Sequence, residues 1–260
     1  VSTLDVPTAW RTPVVDTFQT NGGWFERYAA DRGMTVPGWT YVPICWTVVG
    51  REKFSIMMDW LTYRMKDDVR YFTIVMDGRG LDMFKPDNLT VVGPSSGDIT
   101  IPLVSHQLMD FDPVLPPKKR LVNFIGTVNK HTDYKRVRRR SIAYLPKGSY
   151  VRKNNHLPFD EYFKVLQESR YTLAPRGFGP TSFRMYEALA AASVPIYVWE
   201  DELMLPFRDR VDWSEIAIVA KHKFKGEFEP RNLNRCIEFF REYCKPEELL
   251  CRIIEELKCS

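Results

Sequence analysis

The 260-residue chain has no apolar run near the roughly 20 residues that cross a bilayer, so no membrane span is expected. Val1–Ala9 lacks the basic start and apolar centre of a secretory signal. The first residue is Val, not Met, as expected of a chain trimmed upstream, from which an anchor could have been removed. No CxxC pair occurs among the five cysteines, and four of them, Cys236, Cys244, Cys251 and Cys259, cluster near the end. A zinc site is therefore not expected, whereas reduced thiols in a reducing compartment are. That points to the cytoplasm, with the Golgi lumen as the alternative for a chain that had lost an anchor. Internal repeats, low-complexity stretches, GxGxxG and a P-loop are all missing. The acidic clusters that look Asp-x-Asp-like, Asp67-Asp68 and Glu200-Asp201-Glu202, are each placed like an exposed helix end, so no metal is expected. The net charge of +4 is too small for a surface that coats nucleic acid, and it suits one anionic ligand held at one place.

The length and a hydrophobic fraction of 44% allow a sizeable core without staples. Aromatics, at 13%, suit such a core or a site that stacks on flat rings. Asp110–Arg120 holds three prolines and five charges, which forbid a regular element there. It reads as a linker, giving domains at 1–112 and 113–260. Before it, Tyr41–Val49, Tyr71–Met76, Leu89–Val92 and Ile99–Val104 read as strands and Lys53–Met65 as a helix. After it, strands at Leu121–Ile125, Tyr171–Ala174, Val194–Trp199 and Ile216–Val219 alternate with helices at Asp133–Ala143, Phe159–Glu168 and Thr181–Ala192. Helices at Leu233–Tyr243 and Glu247–Leu257 close the chain. Such alternation implies α/β architecture with parallel sheets covered on both faces, and ligands at the carboxyl ends of the strands.

The stretch from Ala174 to Leu189 carries the most chemistry. A strand ends, the loop Pro175-Arg176-Gly177-Phe178-Gly179-Pro180 follows, and Thr181 and Ser182 are placed to cap a helix. A helix start offers unpaired N–H groups and a positive dipole end, which attract phosphate. Arg176 and Arg184 flank that start and can grip a diphosphate bidentately. Glu187 lies one turn on and can accept from two ribose hydroxyls. Composition alone favours a plainer reading, an exposed intrahelical pair of Arg184 and Glu187. Gly126 and Thr127 end another strand, where backbone can approach a phosphate closely. Arg138 and Arg139 sit in the basic run Lys135–Arg140. One of the two turned inward would suffice to neutralise a diphosphate, and the rest would be solvated.

The series Ala174-Pro175-Arg176-Gly177, Thr181-Ser182-Phe183-Arg184, Tyr186-Glu187-Ala188-Leu189 and Ala192-Ser193-Val194-Pro195 resembles the signature of the exostosin-like glycosyltransferases. Leu205-Pro206-Phe207 and Val211-Asp212-Trp213 follow at that family's spacing. Gly97-Asp98-Ile99-Thr100-Ile101-Pro102 and Phe124-Ile125-Gly126-Thr127 resemble further family stretches. The likeness runs from about Tyr71 to Trp213 and is weak over residues 1–70. It implies two Rossmann-like domains facing a cleft, the GT-B-type architecture, with the donor mostly on the second. It also implies an inverting, metal-independent hexosyl- or pentosyltransferase that uses a UDP-sugar and a glycan acceptor. Short chains of this kind are similar to those of large algal viruses, and on that likeness xylose is the expected sugar.

An inverting transfer needs a base near the acceptor hydroxyl. Asp77, in the glycine turn after Tyr71–Met76, is the first candidate, set against an ordinary turn aspartate. Asp16, after Val14-Val15, is the second; His106 and His131 are further options. The alternatives to an enzyme are a non-catalytic nucleotide- or glycan-binding module of the same fold and a basic nucleic-acid-binding protein.

Overall fold

The computed structural model describes residues 2–11, 22–81, 85–128, 134–154 and 157–260. The chain divides into two compact units, residues 1–106 with 246–260, and residues 107–245.

The first unit holds β1 (Ser2–Thr3), α1 (Thr8–Arg11), α2 (Gly23–Arg32), β2 (Thr40–Tyr41), α3 (Trp46–Val49), α4 (Phe54–Arg64), β3 (Tyr71–Ile74), β4 (Leu89–Gly93) and β5 (Ile99–Thr100). Its strands pair in parallel in chain order, β1-β2-β3-β4-β5. All four residues of β3 are buried, as expected of a strand covered on both faces. α4 buries Phe54, Met57, Met58 and Leu61, one stripe at helical spacing, against Val42, Ile44, Val75 and Val91.

The expected strand Tyr41–Val49 is corrected: pairing stops at Tyr41, and Trp46–Val49 forms a turn of helix closed by Val48 and Val49 N–H on Cys45 O. Pro43 has no N–H to continue a ladder, and an unbroken apolar run looks alike in a strand and in a buried helix. Pairing in Ile99–Val104 likewise stops at Thr100, two residues before Pro102.

The second unit holds β6 (Arg120–Gly126), α5 (Tyr134–Ile142), β7 (Tyr150–Lys153), α6 (Phe159–Gln167), β8 (Ser169–Pro175), α7 (Phe183–Ala190), β9 (Val194–Trp199), α8 (Trp213–Ile216), β10 (Ile218–Lys221) and α9 (Leu233–Tyr243). Its strands are also all parallel, in the order β10-β9-β8-β6-β7. From β6 the chain moves to β7 on one side, then crosses back to β8 on the other. The connections therefore diverge between β6 and β8, and such a switch point leaves a crevice at the strands' carboxyl ends. β7 is absent from the sequence reading because it is an edge strand, half-buried, ending in Arg152 and Lys153.

The last helix, α10 (Pro246–Cys259), belongs to the first unit, which corrects its assignment to a domain at 113–260. It buries Leu249, Leu250, Ile253 and Leu257; Trp39 Nε1 donates to Leu257 O at 2.9 Å, and Tyr28 Oη to Glu247 Oε1 at 2.6 Å. The boundary after residue 112 also moves, to 106/107. The proline-rich run is irregular as expected, but it is fastened to the second unit. Arg241 binds Asp112 Oδ1 at 3.0 Å and Pro113 O at 2.9 Å, and Lys119 N and Arg120 N both donate to Glu168 O.

Candidate functional site

The carboxyl ends of β6 and β8 bring together most of the residues singled out in the sequence. β8 ends at Pro175, opposite Val198 of β9, and Arg176 N donates to Val198 O at 2.8 Å. The loop then closes through Gly177 N on Thr181 O at 2.8 Å. A Cβ on Gly177 would stand 2.9 Å from that same oxygen, so only glycine permits the closure. Ser182 takes the N-cap position of α7 with extended backbone, but its side chain makes no capping bond. Thr181 Oγ1 is buried and has no hydrogen-bond partner among the described residues.

Arg184, in the first turn of α7, lays its guanidinium over the Phe124 ring, 5.3 Å from the centroid. Its Nη2 reaches Gly126: a Cβ there would lie 2.8 Å away. Nε and Nη1 of Arg184, and Nε of Arg176, are buried without a partner among the described residues. Arg138 comes from α5 and donates to Thr127 O at 2.8 Å and to Arg176 O at 3.4 Å, tying the ends of β6 and β8 together. Arg139 is exposed, so of the two cations left open by the sequence it is Arg138 that turns inward.

Arg184 is half-buried and Glu187 buried, so they are not a solvated surface pair. Glu187 Oε2 accepts from Tyr162 Oη of α6 at 2.5 Å. Burial pushes the Glu187 carboxyl up, while Tyr162 and Arg184 pull it back. Burial first, and then the Glu187 charge, push the Tyr162 hydroxyl well above its ordinary value. Tyr162 escaped the sequence reading, because nothing local shows that α6 meets α7 at this point.

A buried donor left unpaired costs about 1–3 kcal/mol, and each such group in a native fold calls for an explanation. Three of the unpaired groups here are guanidinium nitrogens beside a helix start at a switch point. That set suits an anion with several oxygens, such as a diphosphate.

In the first unit, Asp77 opens the turn after β3, closed by Gly80 N on Asp77 O. Its Oδ1 accepts from Arg51 Nη1 at 2.9 Å and from Arg79 N at 2.9 Å; the side chain is 18% exposed. Asp16 and His131 lie outside the described residues. His106 is exposed and meets the Trp24 ring edge-on, with centroids 6.0 Å apart. Glu26 is a carboxylate the sequence reading missed. It is buried on α2 and accepts from Thr47 N at 2.9 Å, Thr47 Oγ1 at 2.6 Å and Met76 N at 2.6 Å. Burial pushes it up to about 8. The available signal was spacing: Phe25, Glu26, Ala29 and Ala30 form one buried stripe. Among the described residues, no group of three or more His, Cys, Asp or Glu stands together as metal ligands do.

Residues 67–224, spanning β3 to β10, match the model of the exostosin GT47 domain. The chain belongs to the exostosin GT47 family. The matched stretch contains every candidate described above except Glu26, Arg51 and Asp16. Among curated relatives, a probable beta-1,4-xylosyltransferase of Arabidopsis thaliana is 29% identical over 149 residues, 49% of this chain and 33% of that protein. A probable glucuronosyltransferase of Oryza sativa subsp. japonica is 32% identical over 62 residues, 24% of this chain and 14% of that protein. The exostosin-1 homolog of Caenorhabditis elegans is 38% identical over 63 residues, 24% of this chain and 16% of that protein. The chain thus matches a third or less of the length of these relatives.

Proposed function

We propose that this GT47 chain is an inverting glycosyltransferase of GT-B type, moving a sugar from a UDP-sugar to a hydroxyl of a glycan acceptor. The reading rests on one observation: Nε of Arg176 and Nε and Nη1 of Arg184 are buried without a partner among the described residues, at the β6/β8 switch point beside the start of α7. In this reading both arginines grip the diphosphate, with the Ser182 hydroxyl and the first N–H groups of α7 adding donors. Glu187, oriented by Tyr162, accepts from the ribose. Gly126 lets Arg184 approach, and Arg138 fixes the strand ends on which Thr127 and Arg176 sit. As the glycosidic bond breaks, charge grows on the leaving diphosphate and a cation-like centre forms at the sugar carbon. Arginines placed in advance stabilise that charge without a metal.

Asp77 is the proposed base. Both of its side-chain bonds fall on Oδ1, so among the described residues Oδ2 is left to take the acceptor proton. Xylose is the proposed sugar, supported by the name of the Arabidopsis relative; the names of the rice relatives favour glucuronic acid as the second reading. Calorimetry and hydrolysis with a panel of UDP-sugars test the proposal. Nucleotide release from one of them should fall about 10²–10⁴-fold in Asp77→Asn with UDP affinity unchanged. Tight UDP binding with no turnover of any donor in the presence of glycan acceptors would instead favour a non-catalytic binding module.

A further inference from the structure

Arg176 and Asp201 form an ion pair that neither the family resemblance nor the proposed chemistry requires. The sheet explains how they meet. Arg176 follows the last residue of β8, Asp201 lies two residues beyond β9, and these strands are neighbours. The two partners are unlike in their surroundings. The Arg176 side chain is 13% exposed, whereas that of Asp201 is 72% exposed. Next to Asp201, Glu200 pairs with Arg140 of α5 at 3.7 Å. The acidic loop after β9 therefore reaches two cations beside the switch point, and one of them is a proposed diphosphate ligand.

We propose that Asp201 is a stand-in anion: it holds Arg176 until a ligand phosphate takes its place. This rests on the donor-site reading above. A carboxylate and a phosphate present the same kind of oxygen to a guanidinium, so they compete for one face. Arg176 is held by its surroundings and keeps its position in either state. Asp201 can leave into water at small cost because most of its side chain is already solvated. The ligand must then bind against the loss of an ion pair, and its charge meets a displaced carboxylate nearby. Asp201 thus weakens nucleotide binding and, by returning to Arg176, favours release of the product diphosphate.

Ion pairs open to water are weak, so removing the Asp201 charge should tighten binding about 1.4- to fivefold, which converts to about 0.2–1 kcal/mol. The experiment is calorimetry with inorganic pyrophosphate and with UDP on the wild-type chain, Asp201→Asn, Glu202→Gln, Arg176→Lys and Arg176→Lys/Asp201→Asn. Glu202→Gln removes the same charge from the same exposed loop and serves as the control. The expected result is tighter binding of both ligands in Asp201→Asn, by more than in Glu202→Gln. With Arg176→Lys as the background, most of the gain should vanish. Equal effects of Asp201→Asn and Glu202→Gln, weaker binding in Asp201→Asn, or no pyrophosphate binding in any of the proteins would overturn the proposal. If pyrophosphate binds as predicted but UDP binds no tighter than pyrophosphate, Asp201 keeps its role and the nucleotide-sugar reading is the one that fails.

Discussion

The Tyr162 hydroxyl reaches from α6 to Glu187 on α7 and donates to Oε2 at 2.5 Å. A buried carboxylate keeps one orientation only if a donor holds it, and here the donor comes from a neighbouring helix. Tyr162→Phe should cost about 1–3 kcal/mol of stability, because Glu187 then loses its partner in a buried place. It should also weaken UDP binding while leaving pyrophosphate binding near the wild-type value. Melting curves read the first effect and calorimetry with the two ligands the second; an equal loss for both ligands would remove Glu187 from ribose recognition.

Gly126→Ala puts a methyl group 2.8 Å from Arg184 Nη2 and 3.3 Å from the Phe124 ring. The first of these is the end of a flexible side chain, so the fold should yield locally and lose little stability. The guanidinium must move, and UDP affinity should fall about tenfold, the loss of one charge-assisted contact. A large drop in melting temperature with unchanged UDP affinity would mean that the glycine serves packing rather than the site.

Arg138 and Arg139 are neighbours of equal charge with unlike placement. Arg138→Ala removes the bonds to Thr127 O and Arg176 O and should weaken UDP binding several-fold, by loosening the strand ends. Arg139→Ala takes a charge from an exposed position and should change stability by less than about 0.5 kcal/mol and UDP affinity little. Equal effects of the two variants would point to long-range charge alone.

Glu26 sets a pH dependence of known sign. Its folded value of about 8 lies above the ordinary 4.5, so the folded state binds the extra proton between those values. The stability this contributes is fully present below about 4.5 and is lost as pH rises through about 8. Glu26→Gln carries no titrating group, so its melting temperature should decline less than the wild type's from pH 5 to 8.5. Parallel melting curves for the two proteins over that range would show that Glu26 stays ionised in the fold.

Much of the second unit was legible in the sequence because its strands are buried on both faces. β9 reads as a continuous apolar run and β8 as a short one at Tyr171–Ala174 broken only by Thr172, and the glycine loop and polar pair between β8 and α7 can be recognised without tertiary context. β7 was not legible, since an edge strand needs an apolar face on one side only, and without β7 no switch point can be inferred. α3 is not told from a strand by the sequence because a short run rich in apolar residues carries no period that separates the two. α10 showed its helical stripe but not its partner: a stripe of Leu249, Leu250, Ile253 and Leu257 demands cover without naming the surface that provides it.

By itself, then, the sequence determined the family, the α/β alternation and the set of cations and glycines around the start of α7. Those follow from local order: residue spacing, backbone freedom at glycine and the polarity of a helix end are properties of short segments. Only the tertiary structure decided that Arg138 rather than Arg139 turns inward, that Tyr162 holds Glu187, and that Asp201 meets Arg176. Those depend on which strands are neighbours, and strand order is set by burial of side chains far apart in the chain.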